Sequence, residues 1–171
     1  PVAYRELLRT VRRDREIKQV FIGSGLRYDQ LLAYPELLED IMRYHCGRFL
    51  RVAPEHSEDR VLQLMNKPGW KTFLDFYRLF QQINRGLKRK IELSPYLVIG
   101  FPGEREQDVF EMKRKLKSMK LKTSDVQIFT PTPGTHATAM YHASMTADGQ
   151  LIPVERDIRK LQKRKQILLS N

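Results

Sequence analysis

Four short stretches hold the residues best placed to do chemistry. "GSGLRYD" (23–29) sets Ser24 and Arg27 beside glycines, and "APEH" (53–56) puts a carboxylate next to an imidazole, Glu55 and His56. "GFPGE" (100–104) ends an apolar run in two glycines, a proline and Glu104. "TPTPGT" (130–135) offers the hydroxyls of Thr130, Thr132 and Thr135 in a loop stiffened by Pro131 and Pro133. Gly100 and Gly103 let a backbone approach a flat ligand without a Cβ in the way. Each stretch also has a plain reading: glycines that only permit a turn, and Glu55, His56 or Glu104 as residues of a helix start.

Other familiar chemistries lack their residues. Cys46 is the only cysteine, so the chain has no internal disulfide and no thiolate set for zinc or an iron–sulfur cluster. The simplest reading of Cys46 is a small buried residue near a helix end. The histidines show no paired ligand spacing on one element, so no metal site is expected. A phosphate-binding enzyme would need a Gly-rich loop of the P-loop or Rossmann kind, and none is present. The formal charge of +11 points to anionic company such as nucleic acid. Its runs, "RTVRRDR" (9–15), "LKRK" (87–90), "KRKLK" (113–117) and "RKLQKRK" (159–165), fall mostly on helices, where a solvated face is the ordinary reading. No aromatic platform accompanies them.

The four stretches share a position: each follows a segment that reads as a strand. Strands are predicted at 17–25, 48–56 (closed by Pro54), 90–100 and 124–130. Helices are predicted at 3–13, 34–45, 57–65 (with Ser57 as N-cap), 70–86, 105–120 and 153–169. A loop at 131–141 holds a short helix near its end. Strands alternating with helices make this an α/β chain with a parallel sheet, in which ligands bind at the carboxyl ends of the strands. Barrel and doubly wound arrangements fit the pattern equally. The size suits one domain with its own core. No apolar run approaches the roughly 18 residues of a membrane span, and no secretory leader is visible, so a cytoplasmic protein is expected. The chain begins with Pro1 rather than Met, which suggests a piece of a longer or processed protein.

"VIGFPGE", with a following amphipathic helix that carries Asp108, resembles the fifth-strand motif of radical S-adenosylmethionine (SAM) enzymes. "FTPTPGTHATAMY" resembles their sixth-strand segment. "VFIGSGLRYD", "LRVAPEHSEDRVLQLMNKP" and "QIFTPTPGT" together resemble the YgiQ-type family of radical SAM proteins, over about residues 17–145. The resemblance implies a partial (β/α)6 barrel, a TIM-like fold, of which residues 1–145 form the later part. Residues 146–171 would begin a C-terminal, family-specific region.

It also implies a parent enzyme that binds a [4Fe–4S] cluster and SAM and generates a 5′-deoxyadenosyl radical, on a substrate the sequence does not name. The cluster loop, Cys-x3-Cys-x2-Cys, is absent, so this chain alone is expected to be inactive and to hold neither group. By position, the resemblance places Ser24 and Arg27 at the third strand end, facing the ligand. It places Arg51 and Glu55 on the fourth strand, toward the SAM ribose or carboxylate. Ile99, Gly100, Phe101 and Gly103 would contact adenine from the fifth strand, and Phe129, Thr130 and Pro131 from the sixth. A second reading, from charge alone, is a basic α/β module that binds nucleic acid. If barrel strands are missing, the strand at 17–23 would expose an edge, inviting self-association or cover by the helix at 3–13.

Overall fold

The computed structural model describes residues 2–170 and divides the chain into two compact units. The first comprises 2–53 and Lys71–Ser94, the second Pro54–Trp70 and 95–170. Residues 146–170 thus belong to the same unit as 95–145. Three strands, β1 (Phe49–Glu55), β2 (Glu92–Ile99) and β3 (Asp125–Ile128), form one parallel sheet in that order. Tyr96 to Ile99 of β2 pair in register with Asp125 to Ile128 of β3.

The first unit contains α1 (Val2–Arg13), α2 (Tyr28–Ala33), α3 (Pro35–Asp40) and α5 (Trp70–Arg85, from Lys71 on). On α5, Phe73, Phe76 and Phe80 recur at three- and four-residue spacing and bury one face. Tyr28 meets Phe73 edge-on, with centroids 5.4 Å apart, and lies 5.9 Å from Phe76. Such pairs add about 0.5–1.5 kcal/mol beyond the area they bury. Arg5 and Arg9 of α1 reach Asp40 of α3 at 2.6 and 3.1 Å.

Several expectations are corrected here. Residues 17–25 form no strand; only Leu26 bridges to Val52 of β1, through Leu26 N–H to Arg51 O and Ala53 N–H to Leu26 O. Ile17 and Phe21 lie exposed, so the apolar pattern that suggested a buried strand covers no core. The expected edge at 17–23 is therefore absent as a strand. The helix predicted at 34–45 starts at Pro35, behind a break at Tyr34, and its last turn, Ile41–His45, widens to a π-turn. Arg89 closes that end by donating to the carbonyls of Met42 and Cys46, at 2.9 and 2.6 Å. Cys46 is buried, as its plain reading held; burial raises its thiol pKa, against the opposing charge of Arg89.

The second unit contains α4 (Asp59–Leu64), α6 (Glu106–Ser118), α7 (His136–Ala143) and α8 (Ile158–Leu169). Val109, Met112 and Leu116 of α6 are buried, and so are Leu161 and Leu168 of α8, which packs on α6 and β3. Ser57 is not an N-cap: Glu58 holds that position, and Ser57 is buried with its hydroxyl on Glu58. Pro54 lies inside β1 rather than closing it. The last helix begins at Ile158, five residues beyond Pro153, capped by Asp157. Pro153 instead accepts the Gly103 N–H through its carbonyl, at 2.8 Å.

Candidate functional site

In the second unit β1 stops in a three-residue turn. His56 N–H returns to Pro54 O at 2.8 Å around Glu55, whose φ is +66°. A γ-turn of this hand is rare and strained, more so without glycine. The turn sends the Glu55 carboxylate to Lys67, 3.2 Å away, and drives His56 fully inside. His56 Nδ1 accepts the Glu58 N–H at 3.0 Å, which leaves the ring proton on Nε2. Nε2 faces Glu104 Oε2 at 3.4 Å.

The end of β2 is built around the same carboxylate. Gly100 and Gly103 have φ of +73° and +96°, and Glu104 N–H closes the turn onto Phe101 O at 2.9 Å. Glu104 then folds back: Oε1 accepts from Gly100 N–H at 2.9 Å and from Arg164 of α8 at 3.2 Å. Arg164 also reaches Glu155 at 3.5 Å. Glu104 is neither a helix-start residue nor open to a ligand; it is 2% exposed and pins the turn from within. The helix-start role falls to Asp108, which accepts from Arg105 N–H and from Arg60, both at 2.6 Å. Arg60 also donates to the Gly103 carbonyl. His56 Nε2 and Glu104 Oε2 are buried and make no hydrogen bond among the described residues; their 3.4 Å approach brings each its nearest opposite pole.

The space left by the missing Cβ atoms is already filled. A Cβ on Gly100 would fall 2.5 Å from Leu161 Cδ2, and one on Gly103 would strike Leu64 Cδ1. Glycine is needed at both places by backbone angle and by packing against this unit's own leucines. An apolar wall continues from the turn. Phe129 N–H bonds to Ile99 O at 2.8 Å, and Phe101 meets Phe129 edge-on with centroids 5.1 Å apart. Phe101 is buried with Val61 and Met140, and Ile99 is fully buried. Beyond them Thr130 is exposed and Pro131 half-buried. Thr135 caps α7 by accepting from Thr138 N–H.

The first unit holds the other candidates. Ser24 is exposed. Arg27 is exposed and grips Asp29 with both arms, at 2.6 and 3.2 Å. Burial works to raise the Asp29 carboxyl pKa, but the Arg27 hydrogen bonds and charge outweigh it and hold it low. Along β1, Leu50, Val52 and Pro54 are buried, while Arg51, Ala53 and Glu55 take the alternate, half-exposed face. The structure therefore brings together Ile99, Gly100, Phe101, Gly103 and Phe129, with Thr130 and Pro131 following. Ser24, Arg27 and Arg51 belong to the other unit. Sequence reasoning missed Arg164, Glu155, Arg60 and the partnership of His56 with Glu104. Arg164 was hidden in a basic run read as a solvated face, and nothing in its spacing marks it as the cation turned inward.

No protein-family model matches the chain. It is 40% identical, over 94% of its length, to the UPF0313 protein of Porphyromonas gingivalis. It is 37% identical over 95% of its length to a UPF0313 protein of Fusobacterium nucleatum, and 39% over 95% to one of Geobacter sulfurreducens. The chain spans 27%, 30% and 27% of these curated relatives. Over nearly all of its own length, then, the chain is similar to one segment of UPF0313 proteins.

Proposed function

We propose that this chain supplies the adenine side of the SAM site in a radical SAM enzyme of the YgiQ type, as part of a parallel barrel. The observation that carries the reading is the junction of the β2 and β3 ends, where Ile99–Gly103 and Phe129–Pro131 lie side by side at the carboxyl edge of a parallel sheet. Leu161 and Leu64 occupy the glycine faces, so contact with adenine falls to the backbone edges and to Thr130 and Pro131. Glu104 and Arg164 serve by holding the turn's shape, not by touching SAM.

The residues present do not fit an iron–sulfur cluster. Cys46 is buried, its thiol pKa is raised, and no three His, Cys, Asp or Glu side chains among the described residues are placed to share a metal. The cluster, and with it the radical that reductive cleavage of SAM supplies, would have to be held outside this chain, and no step through it is derived. The test uses the full-length UPF0313 protein of Porphyromonas gingivalis, reconstituted anaerobically with iron and sulfide, then given reductant and SAM. Formation of 5′-deoxyadenosine is expected. A protein that takes up no cluster and leaves SAM intact would overturn the reading.

A further inference from the structure

The charge of the chain is concentrated in one place. Residues 113–124 carry six Lys or Arg and residues 158–170 carry five, with no Asp or Glu in either stretch. The other twenty of the 31 cations are matched by the 20 carboxylates, so these two stretches account for the whole +11. They are also neighbours. α6 packs on α8, Lys113 Nζ bonds to Ser170 Oγ at 2.8 Å, and Thr123 Oγ1 bonds to Leu168 O at 2.7 Å.

Four of the eleven cations are neutralised locally: Arg114 by Glu111, Lys115 by Glu58, Lys160 by Glu155, and Arg164 by Glu104 and Glu155. No carboxylate among the described residues pairs with the other seven, which include Lys117, Lys120, Lys122, Arg159 and Lys163, all exposed. Two open grooves run beside them. One, of about 450 Å3, is lined by Lys113, Lys117, Lys120 and Lys122. The other, of about 850 Å3, is lined by Arg159, Lys163 and Lys165 with Gln162 and Gln166. Ser170 lines both, so the grooves adjoin at the end of α8.

We infer that this face binds the sugar–phosphate backbone of an RNA strand. Lys113 and Lys117 stand one helical turn apart on α6, about 5–6 Å between neighbours, and Lys120 and Lys122 follow just past its end along the same groove, so the four form a row rather than a point site. A row of unpaired ammonium groups suits a linear polyanion, whose bound counterions they release. The exposed amides of Gln162 and Gln166 beside Lys163 and Lys165 can bond to ribose 2′-hydroxyls, which selects RNA over DNA. No aromatic side chain lines either groove, so recognition is sequence-tolerant. Ile128, the last residue of β3, borders the second groove, but none of Ile99–Gly103 or Phe129–Pro131 lines either groove, and the inference stands or falls independently of the SAM reading.

The probe is a fluorescent twelve-residue oligouridylate, titrated with the chain at several salt concentrations. For four or more neutralised phosphates, log K should fall with log salt at a slope of about −3, at roughly −0.7 per phosphate on a single strand. The triple variant Lys117→Glu, Lys120→Glu, Lys163→Glu should bind at least tenfold more weakly. Lys→Gln at the same positions should lose affinity in the same direction, which excludes an effect of the new carboxylates. Arg13→Glu, Arg15→Glu, Lys88→Glu changes exposed residues of the first unit by the same total charge and should bind within twofold of the parent. Oligothymidylate of the same length should bind more weakly. Absent binding, a salt-independent constant, equal losses in the two triple variants, equal affinity for the deoxy strand, or tighter binding of polyglutamate would each overturn the inference.

Discussion

Charged side chains do different work in the two units. In the first, the pairs Arg27–Asp29, Arg43–Glu39 and Arg48–Glu92 lie at the surface, where such contacts contribute about 0–1 kcal/mol each. That unit is held by its aromatic core of Tyr28, Phe73, Phe76 and Phe80. In the second, Glu104, Arg164 and His56 are buried and joined to one another. Removing one partner of a buried pair costs about 3–5 kcal/mol, because the other is left charged and unsatisfied. The strand end of the second unit is also where glycines are closed in. Gly23 and Gly47 of the first unit, and Gly134 and Gly149 of the second, have nothing near a would-be Cβ, whereas Gly100 and Gly103 are enclosed by leucines. Replaceable surface contacts mark the first unit, and an internal polar brace shapes the strand ends of the second.

The sharpest way to break this contrast is a pair of substitutions. Glu104→Ala should lower stability by about 3–5 kcal/mol, stranding the Gly100 N–H and leaving buried Arg164 with Glu155 alone. Asp29→Ala should cost no more than about 1 kcal/mol. In thermal unfolding, at about 2–4 °C per kcal/mol for a chain of this size, the two should differ several-fold. Equal shifts would mean that the brace carries no special weight. A smaller difference is expected for Gly103→Ala against Gly23→Ala. The first forces a side chain into the left-handed region and against Leu64, at roughly 1–3 kcal/mol. The second should stay within about 0.5 kcal/mol. Adding Leu64→Ala to Gly103→Ala should cost less than Leu64→Ala alone adds in the parent; simple additivity would remove the proposed clash.

The smallest effect is a pH dependence in the first unit. Burial would raise the Asp40 carboxyl pKa, but the hydrogen bond and charge of Arg5, with Arg9, hold it below its ordinary 3.8. A depressed carboxyl pKa contributes stability above the unfolded value and loses it as pH falls through the folded value. The stability gap between the parent and Asp40→Asn should therefore be steady above about pH 5 and close below 3.8. A gap that persists undiminished to pH 2 would show that the contact of α1 with α3 does not depend on this charge.

Helices with a strong one-sided pattern were legible to within a few residues. The predicted 70–86 is Trp70–Arg85, and 105–120 is Glu106–Ser118. Both bury a face set by side chains three and four residues apart. The strand at 90–100 was legible because "YLVI" is apolar without interruption; it is Glu92–Ile99. The segment 17–25 misled because β-branched composition is a local property, while a strand needs a neighbour to pair with, and only Leu26 finds one. At the candidate site, the glycines and the apolar residues of the turn could be picked out, but the occupants of the glycine faces could not. Leu161 and Leu64 reach those positions from helices far along the chain.

The sequence by itself determined the α/β class, the helical faces, the turn chemistry of "GFPGE" and the excess of positive charge. These follow from residue type and spacing over a few positions. Tertiary structure alone decided that Glu104 faces inward to His56 and Arg164, that Arg51 and Glu55 take the less buried face of β1, and that two distant basic stretches lie side by side. Each of these depends on contacts between residues tens of positions apart, and no local period encodes which side chain will meet which.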